Sequence, residues 1–398
     1  MRKLIRILIP IGLLILCYFL FEPVFTHNFG RTEMPVLDNF QPKTLYSKPS
    51  AIRANKIIKE ELVKLKTPSL SVAIGRNDSI IWSNSIGYAN ISKRILADEQ
   101  TKYRIGSTSK TLTSIGLGVL FQDKILTPNS IVKDHVPYAS NELSKLTVEQ
   151  LASHTSGIRN YGMCLCLPIW EFYDNDEYSS IEESISIFND DKLLFEPGTD
   201  FSYSTYNYNL LSGVIEGASK MNFLDFMQTE VFEPLAMSET MPDRMDNPTD
   251  NIAKFYDVEG GKVKEAYKTN SSSKFAGGGF LSTPSDLVKF GNAVLNNKLI
   301  DVTTTKMLVE PVVLKNGTVN KQNYGLGWRI DKSTKVFKDN REVNIIHHGG
   351  TAMGSTAMLI LLPDYNVTVA VAMNKNGKST DLFDVAYKIA ELFVLERK

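Results

Sequence analysis

The chain has 398 residues, 43% hydrophobic and 22% charged, with 44 Lys and Arg against 44 Asp and Glu. That length and composition suit a large folded core and exclude a disordered or fibrous chain. The zero net charge offers no basic field to nucleic acid. Three cysteines, Cys17, Cys164 and Cys166, build no disulfide framework, and the C-x-C pair reads as free thiols under a loop without the second half of a zinc site.

The first element is apolar. Arg2, Lys3 and Arg6 precede "ILIPIGLLILCYFLF", residues 7–21, which carries no charge. A basic start before an apolar run is the pattern of an export signal or anchor. No small-x-small cleavage site follows, so residues 1–26 are expected to be an uncleaved membrane anchor, with a cleaved signal as the alternative. Either reading puts the rest of the chain outside the cytoplasmic membrane, periplasmic or extracellular. Residues 27–48 show no periodicity and read as a tether to a domain spanning 49–398.

That domain begins with a helical pattern over 51–65, where Ile57, Leu62 and Leu65 fall near one face. "SLSVAIGR" and "SIIWSNSIGYAN" follow as two strands joined at Asn77-Asp78. The middle, about 107–295, reads as mostly helical with long loops. "VNIIHH", "TAMLILLP" and "VTVAVAMN" are three more strands, the last two joined by Pro363-Asp364-Tyr365-Asn366, and "TDLFDVAYKIAELFVLE" closes the chain as an amphipathic helix. Strands at both ends with helices between them predict an α+β fold. In it, one antiparallel sheet is flanked by N- and C-terminal helices, and an all-helical lobe is inserted between the sheet halves. A crevice between two such lobes is where a ligand pocket is expected.

Three S-x-x-K spacings occur: Ser107/Lys110, Ser130/Lys133 and Ser271/Lys274. Ser130 sits in a polar turn and Ser271 in "TNSSSK", which reads as a solvated loop. Ser107 opens a segment apolar almost all round, with Leu112, Ile115, Leu117, Val119, Leu120 and Phe121, the pattern of a buried helix. Its first turn would stack Ser107 and Lys110 on one face. Burial and the positive end of the helix dipole would both lower the lysine pKa, leaving an amine able to activate a hydroxyl. The competing reading is an N-cap serine beside a lysine that reaches to water.

Six further stretches bear on that choice: "LASHTSGI" (151–158), "FEPGTDFSYSTYNYNLLSGVIE" (195–216), "EPLAMSET" (233–240), "GGGFLSTPSDLVKFGNAVL" (277–295), "YGLGW" (324–328) and "HHGG" (347–350). In this order, with the S-x-x-K, they resemble the serine β-lactamase and penicillin-binding-protein superfamily over about residues 50–395. The similarity is to its class C-like branch of D,D-peptidases, esterases and the mitochondrial β-lactamase-like serine protease. The resemblance implies an acyl-enzyme on Ser107, with Lys110 as its basic partner and Tyr203 of Tyr203-Ser204-Thr205 as proton shuttle. It implies His347-His348-Gly349 as the K-T-G or H-x-G element, and an oxyanion hole from the N–H groups of Ser107 and Gly350. Substrates would be peptides, D-amino-acid amides, esters or cell-wall-type molecules, with no cofactor and no metal. Thr205 in place of the Y-x-N asparagine, and His347 in place of lysine, point away from an efficient β-lactamase. A weak β-lactamase and a catalytically silent scaffold of the same fold are the alternatives. Core packing is open for Tyr203, and a structural role for His347. His154 reads as a brace under the site, and Tyr324 and Trp328 as packing. The chain has no G-x-S-x-G, H-E-x-x-H, P-loop or G-x-G-x-x-G.

Overall fold

The structure, a computed structural model, describes residues 2–26, 30–36, 48–164, 168–248 and 250–396. Helix α1 (Arg2–Thr26) is followed by the short strand β1 (Thr32–Glu33) and helix α2 (Pro49–Leu65). Strands β2 (Ser69–Arg76) and β3 (Ser79–Asn90) form the expected hairpin, and two-residue strands β4 (Ile95–Leu96) and β5 (Tyr103–Arg104) lead to helix α3 (Ser109–Gln122). Four more short strands lie in the middle of the chain: β6 (Met241–Pro242), β7 (Tyr256–Glu259), β8 (Lys262–Glu265) and β9 (Phe280–Ser282). The C-terminal part holds β10 (Arg329–Ser333), β11 (Val343–Ala352), β12 (Ser355–Leu362), β13 (Val367–Met373) and a helix, Phe383–Val394.

The two ends of the sequence meet in one sheet of order β10-β11-β12-β13-β2-β3-β4, antiparallel throughout, with Ala73 opposite Ala370 at the central seam. The side-chain period of two sends alternate residues to opposite faces. Leu70, Val72, Ile74, Ile360 and Val369 meet α2 and the C-terminal helix in one core; Ala73, Leu359, Leu361 and Ala370 meet the helical lobe in the other. Small residues on the second face let the helix Pro284–Leu295 lie close. A Cβ on Gly75 would come within 2.5 Å of Val288 Cγ1, and one on Gly291 within 2.4 Å of Thr368 Cγ2. That helix therefore belongs with the sheet. The span 107–295 is not wholly helical either, since β5-β9-β6 and β1-β8-β7 form two small sheets.

Helix α1 exposes Ile7, Leu8, Leu14 and Phe19, yet among the described residues no helix is long and apolar enough to cross a membrane. Its Leu20 carbonyl accepts from the Ile169 N–H. Residues 27–29 and 37–47 of the expected tether lie outside the described residues, but 30–36 are docked. There β1 pairs with β8, and Arg31 forms ion pairs with Asp257 and Glu259. Cys164 is disulfide-bonded, which corrects the expectation of a free thiol; Cys166 lies outside the described residues. Cys17 is free and exposed.

Tyr103 ties the sheet to the segment that carries Ser107. It is fully buried, and its hydroxyl lies 3.0 Å from Ser69 Oγ and 2.8 Å from Ser71 Oγ. Removing it leaves Ser71 with a buried hydroxyl that has lost this partner. Tyr103→Phe is expected to cost about 1–3 kcal/mol, seen in urea melts as a lower midpoint with an unchanged slope.

Candidate active site

Ser107 lies in a 3-10 turn, Gly106–Thr108, that runs directly into α3. Gly106 adopts φ +49°, and a Cβ there would fall 2.7 Å from the Thr351 carbonyl, so glycine is required twice over. Lys110 follows in the first turn of α3, where 13 of 14 residues are buried and Lys110 itself is fully so. Its Nζ sits 3.3 Å from Ser107 Oγ and 3.4 Å from Thr205 Oγ1, and it donates to the Gly277 carbonyl. Among the described residues no carboxylate pairs with it. Burial, and then the charge of Arg329, hold its pKa well below the usual lysine value, which favours the amine form that can accept a proton.

Tyr203 precedes the helix Tyr206–Ser219. Its phenol hydrogen-bonds Ser107, and burial pushes its pKa up to about 12, so it rests protonated. Lys110 Nζ lies 5.0 Å from its ring centroid and the Arg329 guanidinium 5.3 Å. His154 packs 4.2 Å from the same ring. It holds φ +62°, and its Nδ1 accepts from the Ser204 N–H and from Asn207 Nδ2, which makes it the brace expected of it. Thr205 anchors through its own N–H to Asn160 Oδ1 at 3.0 Å, and its hydroxyl is shared by Lys110 and Tyr161.

Strand β11 separates the two histidines. Ile346 packs in the core beneath the helical lobe and Ile345 in the core beneath the terminal helices. By alternation His348 and Gly350 face the serine, whereas His347 and Gly349 face the other way. His347 packs 5.1 Å from Phe383, with Nε2 2.9 Å from the Asp331 carboxylate. His348 lies among Tyr203, Tyr324 and Arg329. Its Nδ1 donates to the Gly349 carbonyl, so its Nε2 accepts from the Tyr324 hydroxyl at 2.9 Å. Burial, and then the charge of Arg329, hold the His348 pKa well below its ordinary value and keep the ring neutral. The face expected to carry His347 thus carries its neighbour. A slip of one residue exchanges the two faces of a strand.

The same register bears on the oxyanion donors. A Cβ on Gly350 would lie 1.8 Å from the Ile105 carbonyl and 2.9 Å from Ser107 N, so β11 and the serine turn touch backbone to backbone. The Ile330 N–H leaves the ladder for Asn323 O. The hydrogen-bonded pairs of β10 with β11 are therefore Arg329/His347 and Asp331/Ile345. Odd-numbered amides of β11 point toward β10, which ends at Arg329. The amide turned to the open edge beside Ser107 is accordingly that of Thr351, where Gly350 was expected.

Two cavities of about 300 and 290 Å³ meet at Ser107, Tyr203 and Thr351. One runs past Arg104, Asn160, Tyr161 and Lys274; the other past Arg329, His347, His348 and Phe383. A larger cavity, about 420 Å³, opens elsewhere around Tyr178, Asn209 and Arg244 and contains none of these groups. Arg329, Tyr161 and Asn160 were not picked out from sequence, because no motif or periodicity marks them. Among the described residues no cluster of three or more His, Cys, Asp or Glu could hold a metal ion.

The family model described as Beta-lactamase matches residues 54–393. The chain is 27% identical to the human mitochondrial serine beta-lactamase-like protein LACTB, over 83% of this chain and 77% of that protein. It is 26% identical to penicillin-binding protein 4* of Bacillus subtilis, over 81% and 71%. Among solved structures it is similar to FmtA of Staphylococcus aureus (TM-score 0.70, 20% identity, 88% of this chain and 93% of that one). It is also similar to a D-stereospecific amidohydrolase of a Streptomyces species (TM-score 0.67, 21% identity, 85% and 98%).

The buried histidines generate a pH dependence. His154 and His348 are both held neutral, with pKa values well below the ordinary 6.5 and burial as the leading cause. As pH falls below about 6.5 the unfolded chain takes up these protons while the native chain does not. The stability they retain at neutral pH is therefore lost on acidification, at about 1.4 kcal/mol per pH unit for each histidine. In urea melts between pH 6 and 5, the stability of His348→Gln is expected to fall less steeply than that of the wild type by about that amount.

Proposed function

The chain belongs to the beta-lactamase family and is a serine hydrolase, and on that premise we propose that it cleaves an amide or ester carbonyl through an acyl-enzyme on Ser107. The observation that carries this reading is the fully buried Lys110, its pKa held well below the usual lysine value, within 3.3 Å of the Ser107 hydroxyl. As Ser107 Oγ attacks the carbonyl carbon, Lys110 takes the hydroxyl proton. The N–H groups of Ser107 and Thr351 hold the oxyanion. Tyr203, protonated at rest, gives its proton to the departing amine or alcohol and is restored from Lys110. Water then attacks the acyl-enzyme, its proton passing to the same pair, and Ser107 leaves with a proton regained. The names of two relatives, a penicillin-binding protein and a D-stereospecific amidohydrolase, favour peptide-like amides. A silent scaffold is disfavoured, because an unpaired buried lysine beside an intact serine costs stability and serves no packing purpose.

Wild-type protein incubated with a fluorophosphonate should gain one adduct by intact mass, on Ser107. Ser107→Ala should show neither adduct nor turnover of a short p-nitrophenyl ester, while Ser130→Ala keeps both. Nitrocefin should be turned over at least about 10-fold less efficiently than the ester. Thr205 presents one hydroxyl already engaged by Lys110 and Tyr161, where an amide would supply two N–H donors. Full ester turnover in Ser107→Ala sinks the mechanism.

We also propose that the exposed apolar face of α1 holds the enzyme at a membrane, with the domain from residue 49 onward on the outer side. The support is the basic start and the solvent-facing Ile7, Leu8, Leu14 and Phe19. Full-length protein should sediment with membranes and resist a salt wash, and a chain lacking residues 1–26 should remain in the supernatant. Equal partition of the two overturns the proposal.

A further inference from the structure

The third S-x-x-K spacing does not lie in a solvated loop. Ser271 is buried and donates to the Asp243 carboxylate, and Lys274 lines the cavity of about 300 Å³ that ends at Ser107. That cavity's lining holds two cations, Arg104 and Lys274, and no carboxylate. Arg104 is already committed: its Nε donates to Asp243, Nη1 donates to the Met353 carbonyl, and its guanidinium covers the Phe255 ring at 4.3 Å. Lys274 has no carboxylate within ion-pair distance among the described residues. Its Nζ lies instead about 6 Å from the Tyr161 and Phe172 ring centroids, at 5.9 and 6.0 Å. Burial and the neighbouring Arg104 pull its pKa down to about 8, against the attraction of Asp243 and Asp174.

The same cavity holds an oriented donor. Asn160 Oδ1 accepts the Thr205 N–H at 3.0 Å, which turns its amide NH₂ away from Thr205; Asn160 lines the same cavity. A half-buried ammonium and an amide NH₂ that share one cavity wall with no acidic side chain form a receptor for anionic oxygen.

We propose that this arm of the cleft selects substrates carrying a carboxylate, which Lys274 binds as its missing counter-ion, with Asn160 as a second donor. This rests on the reading of Ser107 as nucleophile, and it goes beyond it by naming what the substrate presents beside the scissile bond.

Two matched ester pairs test it. The first is p-nitrophenyl hydrogen glutarate against p-nitrophenyl valerate, with the acid in the acyl part. The second is 3-carboxy-4-nitrophenyl acetate against 4-nitrophenyl acetate, with the acid in the leaving group. In the wild type, kcat/KM for the acidic member of one pair should exceed that expected from its neutral match. In Lys274→Met the acidic-to-neutral ratio for that pair should fall by about 10-fold or more, the loss of a charge-assisted hydrogen bond. Lys274→Arg should recover part of it, and KM should carry most of the change. An unchanged ratio in both pairs for Lys274→Met overturns the proposal while leaving the nucleophile intact. Absence of wild-type turnover on all four esters, together with no fluorophosphonate adduct, overturns the nucleophile reading and this proposal with it.

Discussion

The molecule is organised around one contact without side chains: the turn Gly106–Thr108 pressed against strand β11 at Gly350 and Thr351. A Cβ at Gly106 would overlap the Thr351 backbone, and one at Gly350 would lie 1.8 Å from the Ile105 carbonyl. The sheet and the helical lobe are hydrophobic layers that could slide on one another, but this main-chain contact sets their register. It places Ser107 against the amide edge of β11, and it points α3, with Lys110 in its first turn, toward Tyr203 and Thr205. The short strand β5 and the buried Tyr103 fasten the turn to the sheet from the other side.

Around that contact the protein spends stability on charge. Lys110 is desolvated with only neutral acceptors for company, and His154 and His348 are buried where Arg329 disfavours a second positive charge. Aromatic rings enclose the group: Tyr203, Tyr208 and Tyr324 surround His154, and Arg329 lies over Tyr203 and Tyr324. Their faces give weak cation–π support and no anionic partner that would hold the lysine protonated.

Much of this was legible from residues alone. Short apolar runs bounded by turn residues located β2, β3, β12 and β13, and bringing the chain ends together into one sheet followed from where the strands fall. Ser107 and Lys110 stood out because they open a helix apolar on every side. What was not legible depends on tertiary contacts. "HHGG" fits a strand in either register, and only the packing of Ile345 and Ile346 into different cores decides that His348 faces the serine. "TNSSSK" is polar in composition, yet its Ser271 is buried because Asp243, 28 residues away, accepts its hydroxyl. Strand β10 was missed because Arg329–Ser333 alternates too weakly, so Arg329 was missed with it. Glycine was legible as a turn former but not as a spacer, since what a glycine makes room for comes from elsewhere in the chain.

The hydrogen bond from the Ile169 N–H to the Leu20 carbonyl ties the N-terminal helix to the body of the domain. Ile169 stands in the segment that also carries Cys164 and, three residues on, Phe172, part of the wall of the Lys274 cavity. Farther along, Arg31 rivets the following residues to the strand that bears Asp257. The N-terminal segment thus meets the domain at two separate places, Leu20 and Arg31, so that pulling it away breaks a main-chain hydrogen bond at one and an ion pair at the other.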